Sequence, residues 1–232
     1  DPEDETDFKE GQIRQLMDGE YVSIPHAGIL SSPMFLNRFP TTLTNRNRHR
    51  ARMVYEFFLA TDILRVAERP IDAAQTATYL NPTRDDPTCN SCHRRIDPIA
   101  GAFQKYRYYD PEYYIPDNEW YSEMFPPGFG NETMETSDFN RALPWLAERI
   151  ALDERFVLAS IYSVYKGLTG DDPLSYPANS ADPNFAAALS AWEAQDATFR
   201  AISEAFVENN YNLKTIFSML LMSPYFRAAN AD

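Results

Sequence analysis

Cys89-Asn90-Ser91-Cys92-His93 holds the only two cysteines of the chain, with a histidine directly after the second. Two thiols and an imidazole at this spacing can hold a haem covalently. The sulfurs add across the vinyl groups of the porphyrin, and the histidine one position on reaches the iron. The constraint on folding is severe. With both thiols used as thioethers no disulfide is left, and the middle of the chain must pack around a large apolar group to which it is bonded.

Two other uses of a Cys-x-x-Cys pair compete. A thioredoxin-like dithiol is expected among alternating strand and helix patterns, and nothing around Thr88 reads that way. A structural zinc site needs four ligands. Cys89, Cys92 and His93 supply three, Cys92 and His93 are awkward neighbours on one tetrahedral ion, and there is no second Cys-x-x-Cys or a His-x-x-x-His. One covalently bound haem c is the leading expectation.

Composition narrows the function classes. At 44% hydrophobic and 24% charged residues, the chain can bury one large core or two small ones. No apolar run reaches the roughly 18 residues of a membrane span. The 34 acidic against 21 basic residues, a formal charge of −13, argue against nucleic acid as a partner. An acidic surface suits docking to basic redox proteins, and it serves solubility equally well. The chain begins at Asp1 rather than Met, so removal of a leader or a larger precursor is expected.

Three segments are expected: an acidic arm over residues 1–20, a haem-binding segment over 21–136 and a C-terminal helical segment over 137–232. The fold class is mainly α, an irregular helical cytochrome with long loops. Pro25, Gly28, Pro33 and Pro40 predict a structured loop with short turns rather than one long helix. Met53, Val54, Phe57, Phe58 and Leu64 predict a helix over 46–68, closed by Pro70. Asn81 to Thr88 reads as a loop entering the haem motif, whose short helix stops as Pro98 intervenes. Tyr106, Tyr108, Tyr109, Tyr113, Tyr114, Trp120, Tyr121, Phe125 and Phe129 form an irregular aromatic tract, and its interleaved acids speak against base stacking. Further on, Asp138, Asp153 and Asn212 are expected to cap helices carrying Leu143/Leu146/Ile150, Val157/Ile161/Val164/Leu168 and Leu213/Ile216/Leu220. Phe199, Ile202 and Phe206 share another helical stripe, and Pro224 reads as a stop.

The second axial position on the iron decides function: a strong protein ligand gives an electron carrier, an open site permits ligand binding or peroxide chemistry. His26, in the apolar loop Ile24 to Leu30, stands first for the distal place. Met124 or Met134 would give a His/Met pair, and His49, in the basic run Arg46 to Arg50, stands third. Arg48, Arg50 and Arg52 are candidates to pair with the haem propionates.

The flanks of the motif resemble a known family. Gly28-Ile29-Leu30-Ser31-Ser32-Pro33-Met34-Phe35-Leu36, Asn45-Arg46-Asn47-Arg48-His49-Arg50-Ala51-Arg52, and Asp86 to His93 with Ile96-Asp97-Pro98-Ile99-Ala100-Gly101-Ala102-Phe103 are similar to the planctomycete-type cytochrome c proteins. Leu146 to Ile150, Asp153 to Phe156, Gly167 to Gly170 and Ser223 to Arg227 resemble that family's terminal helical region. The resemblance implies a secreted bacterial haemoprotein, periplasmic or extracellular. Its haem motif falls on Cys89, Cys92 and His93. Family members are often longer, which implies a piece of a precursor or a subunit of an electron-transfer assembly. The expected function is single-electron transfer rather than catalysis. A haem enzyme with an open distal site, or a structural haem-bearing subunit, is the alternative.

Overall fold

The apolar spacings of three and four become helices, and the chain is mainly α. The computed structural model describes residues 13–66, 73–107, 113–118 and 120–228. Most of the expected acidic arm, the expected helix end at Glu68 to Pro70, and Tyr108 and Tyr109 lie outside the described residues. Two compact units are present, Asp1–Met53 with Asp62–Arg149, and Val54–Thr61 with Ile150–Asp232.

The first unit opens with an antiparallel hairpin, β1 (Arg14–Met17) on β2 (Glu20–Ser23), so the end of the expected arm is strand. Asp18 and Gly19 form its turn with φ of 51° and 87°, the left-handed pair that an Asp-Gly loop supplies between twisted strands. A 3-10 turn at Gly28–Ser31 leads into α1 (Pro33–Arg38). Ser32 caps α1 by accepting from the Phe35 amide, and Pro33 occupies the first turn, where no amide is needed.

Helix α2 (Arg48–Phe58) is shorter than expected at both ends. Arg46 and Asn47 take left-handed φ of 48° and 67°, and Ala60, at 45°, stops the far end while the Thr61 amide returns to Tyr55 O. A 3-10 turn follows at Ile63–Val66, then the single turns α3 (Ala73–Thr76) and α4 (Pro82–Asp85), and then α5 (Pro87–Ala102). Pro98 does not end α5, contrary to the expectation. It sits inside the helix among buried Ile96, Asp97, Ile99, Ala100, Gly101 and Ala102, and this burial offsets the missing hydrogen bond. The end of α5 runs close beneath the aromatic tract: a Cβ added at Gly101 would lie 2.7 Å from both Pro127 and the Trp120 ring.

Arg50 holds this unit together from within, wholly buried. Its Nε donates to Phe39 O at 2.8 Å, Nη2 to Leu36 O at 3.2 Å, and Nη1 to Tyr106 O at 2.6 Å and Asn47 Oδ1 at 2.9 Å. The end of α1 and the chain just beyond α5 are thereby tied to one guanidinium on α2. Phe35 stacks on Phe103 with ring centroids 6.0 Å apart across the same junction. Past it, Tyr106 bridges to Tyr114, and β3 (Gly128–Phe129) pairs with β4 (Glu132–Thr133). Asp138 falls inside a 3-10 turn at Thr136–Arg141 instead of capping α6 (Ala142–Leu152), because the chain is already turning helically when it reaches that residue.

In the second unit α7 (Glu154–Thr169), α8 (Phe185–Glu208) and α9 (Leu213–Met222) bury Ile161, Tyr165, Phe199, Ile202, Phe206, Ile216 and Leu220 against one another. Asp153 and Asn212 cap α7 and α9 as expected, and Gly170, with φ 81°, closes α7 in the left-handed conformation. Pro224 ends nothing by itself. Ser223 terminates α9, and Pro224 begins α10 (Pro224–Ala228). Gln195, buried, donates to Tyr165 Oη and accepts from the Leu174 amide, fixing the loop before α8.

Replacing Arg50 with Met strands several buried carbonyls, so stability should fall by about 3–5 kcal/mol, read from the urea midpoint at constant slope. The Arg155 side-chain bond holds the Asp153 carboxyl below the usual range against partial burial, with help from the Arg155 amide. Its stabilising contribution is complete above the ordinary carboxylate value of about 3.9 and disappears as pH falls through the lower folded value. Asp153→Asn keeps a capping oxygen but cannot ionise, so acid-unfolding curves of the variant should be flatter below about pH 4 than those of the wild type.

Candidate functional site

Asp86 starts the helix that carries the motif: its carboxylate accepts from the Thr88 amide at 2.8 Å and from Thr76 Oγ1 at 2.9 Å, and Pro87 fills the first turn. Burial disfavours its charge, but these bonds outweigh it and leave the Asp86 carboxyl below the usual range. Residues four apart on a helix lie on one face, so Cys89, His93 and Asp97 form a stripe with Cys92 beside it. The stripe descends from solvent into the core. Cys89 and Cys92 are half-buried, the His93 side chain keeps 23% exposure, and Asp97 has none.

At the bottom of the stripe the Asp97 carboxylate accepts from two elements. His93 Nδ1 lies 3.0 Å from Oδ1, Arg48 Nε donates to the same oxygen at 2.8 Å, and Arg48 Nη2 donates to Oδ2 at 3.2 Å. Burial opposes the Asp97 charge most strongly, yet the bonds from His93 and Arg48 and the nearby guanidinium charge together hold its carboxyl below the usual range. An ionised carboxylate only accepts. Nδ1 of His93 is therefore the donor of this bond, and in a neutral imidazole that leaves Nε2 as the acceptor nitrogen.

The rival uses of the cysteines fare worse on this geometry. Burial first, then the Asp86 charge, pushes the Cys89 thiol up, whereas a dithiol redox centre needs a lowered one. Cys92 Sγ faces Ile63 O at 3.8 Å. Among the described residues no three His, Cys, Asp or Glu side chains gather as a metal site, so Cys89, Cys92 and His93 do not converge on one ion as zinc requires. A haem asks something different of them: two sulfurs on successive turns and an imidazole next to the second.

The other candidates scatter. His26 is exposed in the loop before Gly28, and that loop is tied to the other end of α5, where Tyr106 Oη donates to Pro25 O. His49 is exposed on α2, its ring edge-on to Phe39 at 5.3 Å. Met134 is buried beside Gly101, Trp120 and Pro127. Met124 is buried too, but its segment is tied to α4: Asn81 Nδ2 donates to Glu123 O at 2.7 Å, and Asn90 Nδ2 of α5 donates to Arg84 O at 2.7 Å. Of the three arginines, Arg50 is occupied inside the core, Arg48 is engaged by Asp97, and Arg52, one turn beyond Arg48, has a buried Nε without a hydrogen-bond partner. Sequence reasoning passed over Asp97. Its signal was the His-x-x-x-Asp spacing on a helix.

One helix thus presents two thiols and an imidazole on neighbouring turns, with the imidazole tied to a buried carboxylate. Residues 26–109 match the PSCyt3 family, described as a protein of unknown function (DUF1588). That stretch contains Arg48, Arg52, Cys89, Cys92, His93 and Asp97. No curated protein matches the chain. No solved structure matches it either. Among the described residues no helix is long and apolar enough to cross a membrane.

As a free thiol, Cys89 should alkylate more slowly at pH 7 than an unperturbed cysteine, with its rate–pH midpoint displaced upward. Iodoacetamide labelling followed by peptide mass mapping measures both.

Proposed function

We propose that this chain is a monohaem c-type cytochrome that carries single electrons outside the cytoplasm. The observation that carries the reading is the Cys89, Cys92, His93 stripe, with His93 held by Asp97 so that Nε2 is available to iron. When bound, the haem supplies one-electron exchange between ferric and ferrous iron. The protein's part is to anchor it through Cys89 and Cys92, to present His93 as the proximal ligand and to offer Arg52 to a propionate, where the unpartnered Nε would gain a charge-assisted bond.

For the sixth position the placements favour Met124, whose segment is tied to α4 just ahead of the attachment turn, over His26 at the other end of α5. A His/Met pair raises the potential relative to many other ligand sets and suits electron transfer. The acidic composition, with a formal charge of −13, suits a basic redox partner, and a larger assembly is consistent with that role.

Expressing the full chain with a signal peptide in a bacterium that attaches c-type haem tests the reading. The haem should stay with the polypeptide through denaturing electrophoresis and be lost when Cys89 and Cys92 are both changed to Ala. The reduced spectrum should be low-spin and indifferent to carbon monoxide, and Met124→Ala should make it carbon monoxide-sensitive. A chain that carries no covalent haem overturns the proposal. A wild type that binds carbon monoxide readily replaces the carrier with the haem-enzyme alternative.

A further inference from the structure

The attachment motif explains Cys89, Cys92 and His93, but not why a fully buried carboxylate, paired with a partly buried guanidinium, lies beneath them. Asp97 has no exposure at all, and Arg48 reaches it from another helix, across 49 positions of sequence, with two donors. Burying an ion pair costs desolvation that a well-packed apolar pair would avoid, so its presence calls for a reason beyond stability. A histidine bound to a metal through one ring nitrogen commonly donates the other to a neighbour, and a carboxylate in that place raises the basicity of the ligand.

Resting on the haem reading above, we propose that Asp97 is the positioning residue of the proximal ligand and that the Asp97–Arg48 pair sets the redox potential of the iron. Oδ1 accepts a hydrogen bond from the Nδ1–H of His93, which fixes the tautomer and the ring plane. The carboxylate lends the imidazole anionic character, and this favours the ferric over the ferrous state. Arg48 works in the opposite sense. By donating to both carboxylate oxygens it draws charge away from Oδ1, so His93 receives a tempered push rather than that of a bare buried anion. Arg48 also keeps the carboxylate plane turned so that the oxygen it shares with His93 faces the ring. The two members of one ion pair thus pull the potential in opposite directions.

Opposite pulls separate this role from simple structural support, which would make the two variants behave alike. In the full-length haem-bearing protein, Asp97→Asn should raise the midpoint potential and Arg48→Gln should lower it, with haem content per chain unchanged. A second readout does not use the potential. In the reduced, carbon monoxide-treated protein, diamagnetic whichever ligand held the sixth place, the His93 ring Nδ1 proton should be observable and shifted downfield by its bond to the carboxylate. It should move upfield in Asp97→Asn. Should that variant fail to load haem, Arg48→Gln, which leaves the α5 sequence intact, and the wild-type proton signal carry the test. Potentials that shift in the same direction in both variants, or a potential that ignores Asp97, overturn this proposal while the cytochrome reading stands. A wild-type chain without haem overturns both.

Discussion

The first unit is organised around a guanidinium in its interior. Arg50 presents fixed, planar donors to carbonyls at the end of α1 and beyond α5, so three stretches of chain must meet at set distances. Hydrophobic contacts such as Phe35 on Phe103 make the junction favourable, but they tolerate sliding. A rigid fork with specific acceptors does not. Because Arg48 lies half a turn earlier on the same helix, the registry that Arg50 enforces between α2 and α5 also brings Arg48 to Asp97. The candidate site inherits its precision from a residue that takes no part in its chemistry.

The site grades from wet to dry along one helical face. The thiols are half-buried. The imidazole is intermediate, and the carboxylate that orients it is sealed away from water, where a hydrogen bond is electrostatically stronger and less easily exchanged. An i, i+4 stripe running oblique to the surface accomplishes this without any loop insertion. Pro98, directly after Asp97, sits where the chain has finished supplying functional side chains and begins to supply core.

Much of this was legible in the sequence, and the parts that were not have a common cause. The Cys89 to His93 spacing and the caps at Asp153 and Asn212 are local features, readable from the sequence alone, and the caps form as expected. The buried stripes of α7, α8 and α9 were readable from periodicity for the same reason. The long helix expected over 46–68 ended early because left-handed residues at Arg46, Asn47 and Ala60 interrupt it, and none of these is a glycine that would have announced the break. Pro98 reads as a stop in the sequence, because the burial that keeps α5 intact depends on distant segments. The arginines looked interchangeable in sequence. Only their tertiary partners separate Arg50 in the core from Arg48 on Asp97 and from Arg52 with its unpartnered Nε.

Pro98 also bears on the order in which such a protein could be assembled. It offers no amide to the carbonyl of Arg94, so the α5 ladder lacks a rung between the turn carrying Cys92 and His93 and the turn carrying Ile99 and Ala100. The leading half of the helix can therefore loosen without forfeiting that bond, while the trailing half stays packed. If a group is joined to Cys89 and Cys92, as the proposed function requires, that give lies at the reacting end of the helix.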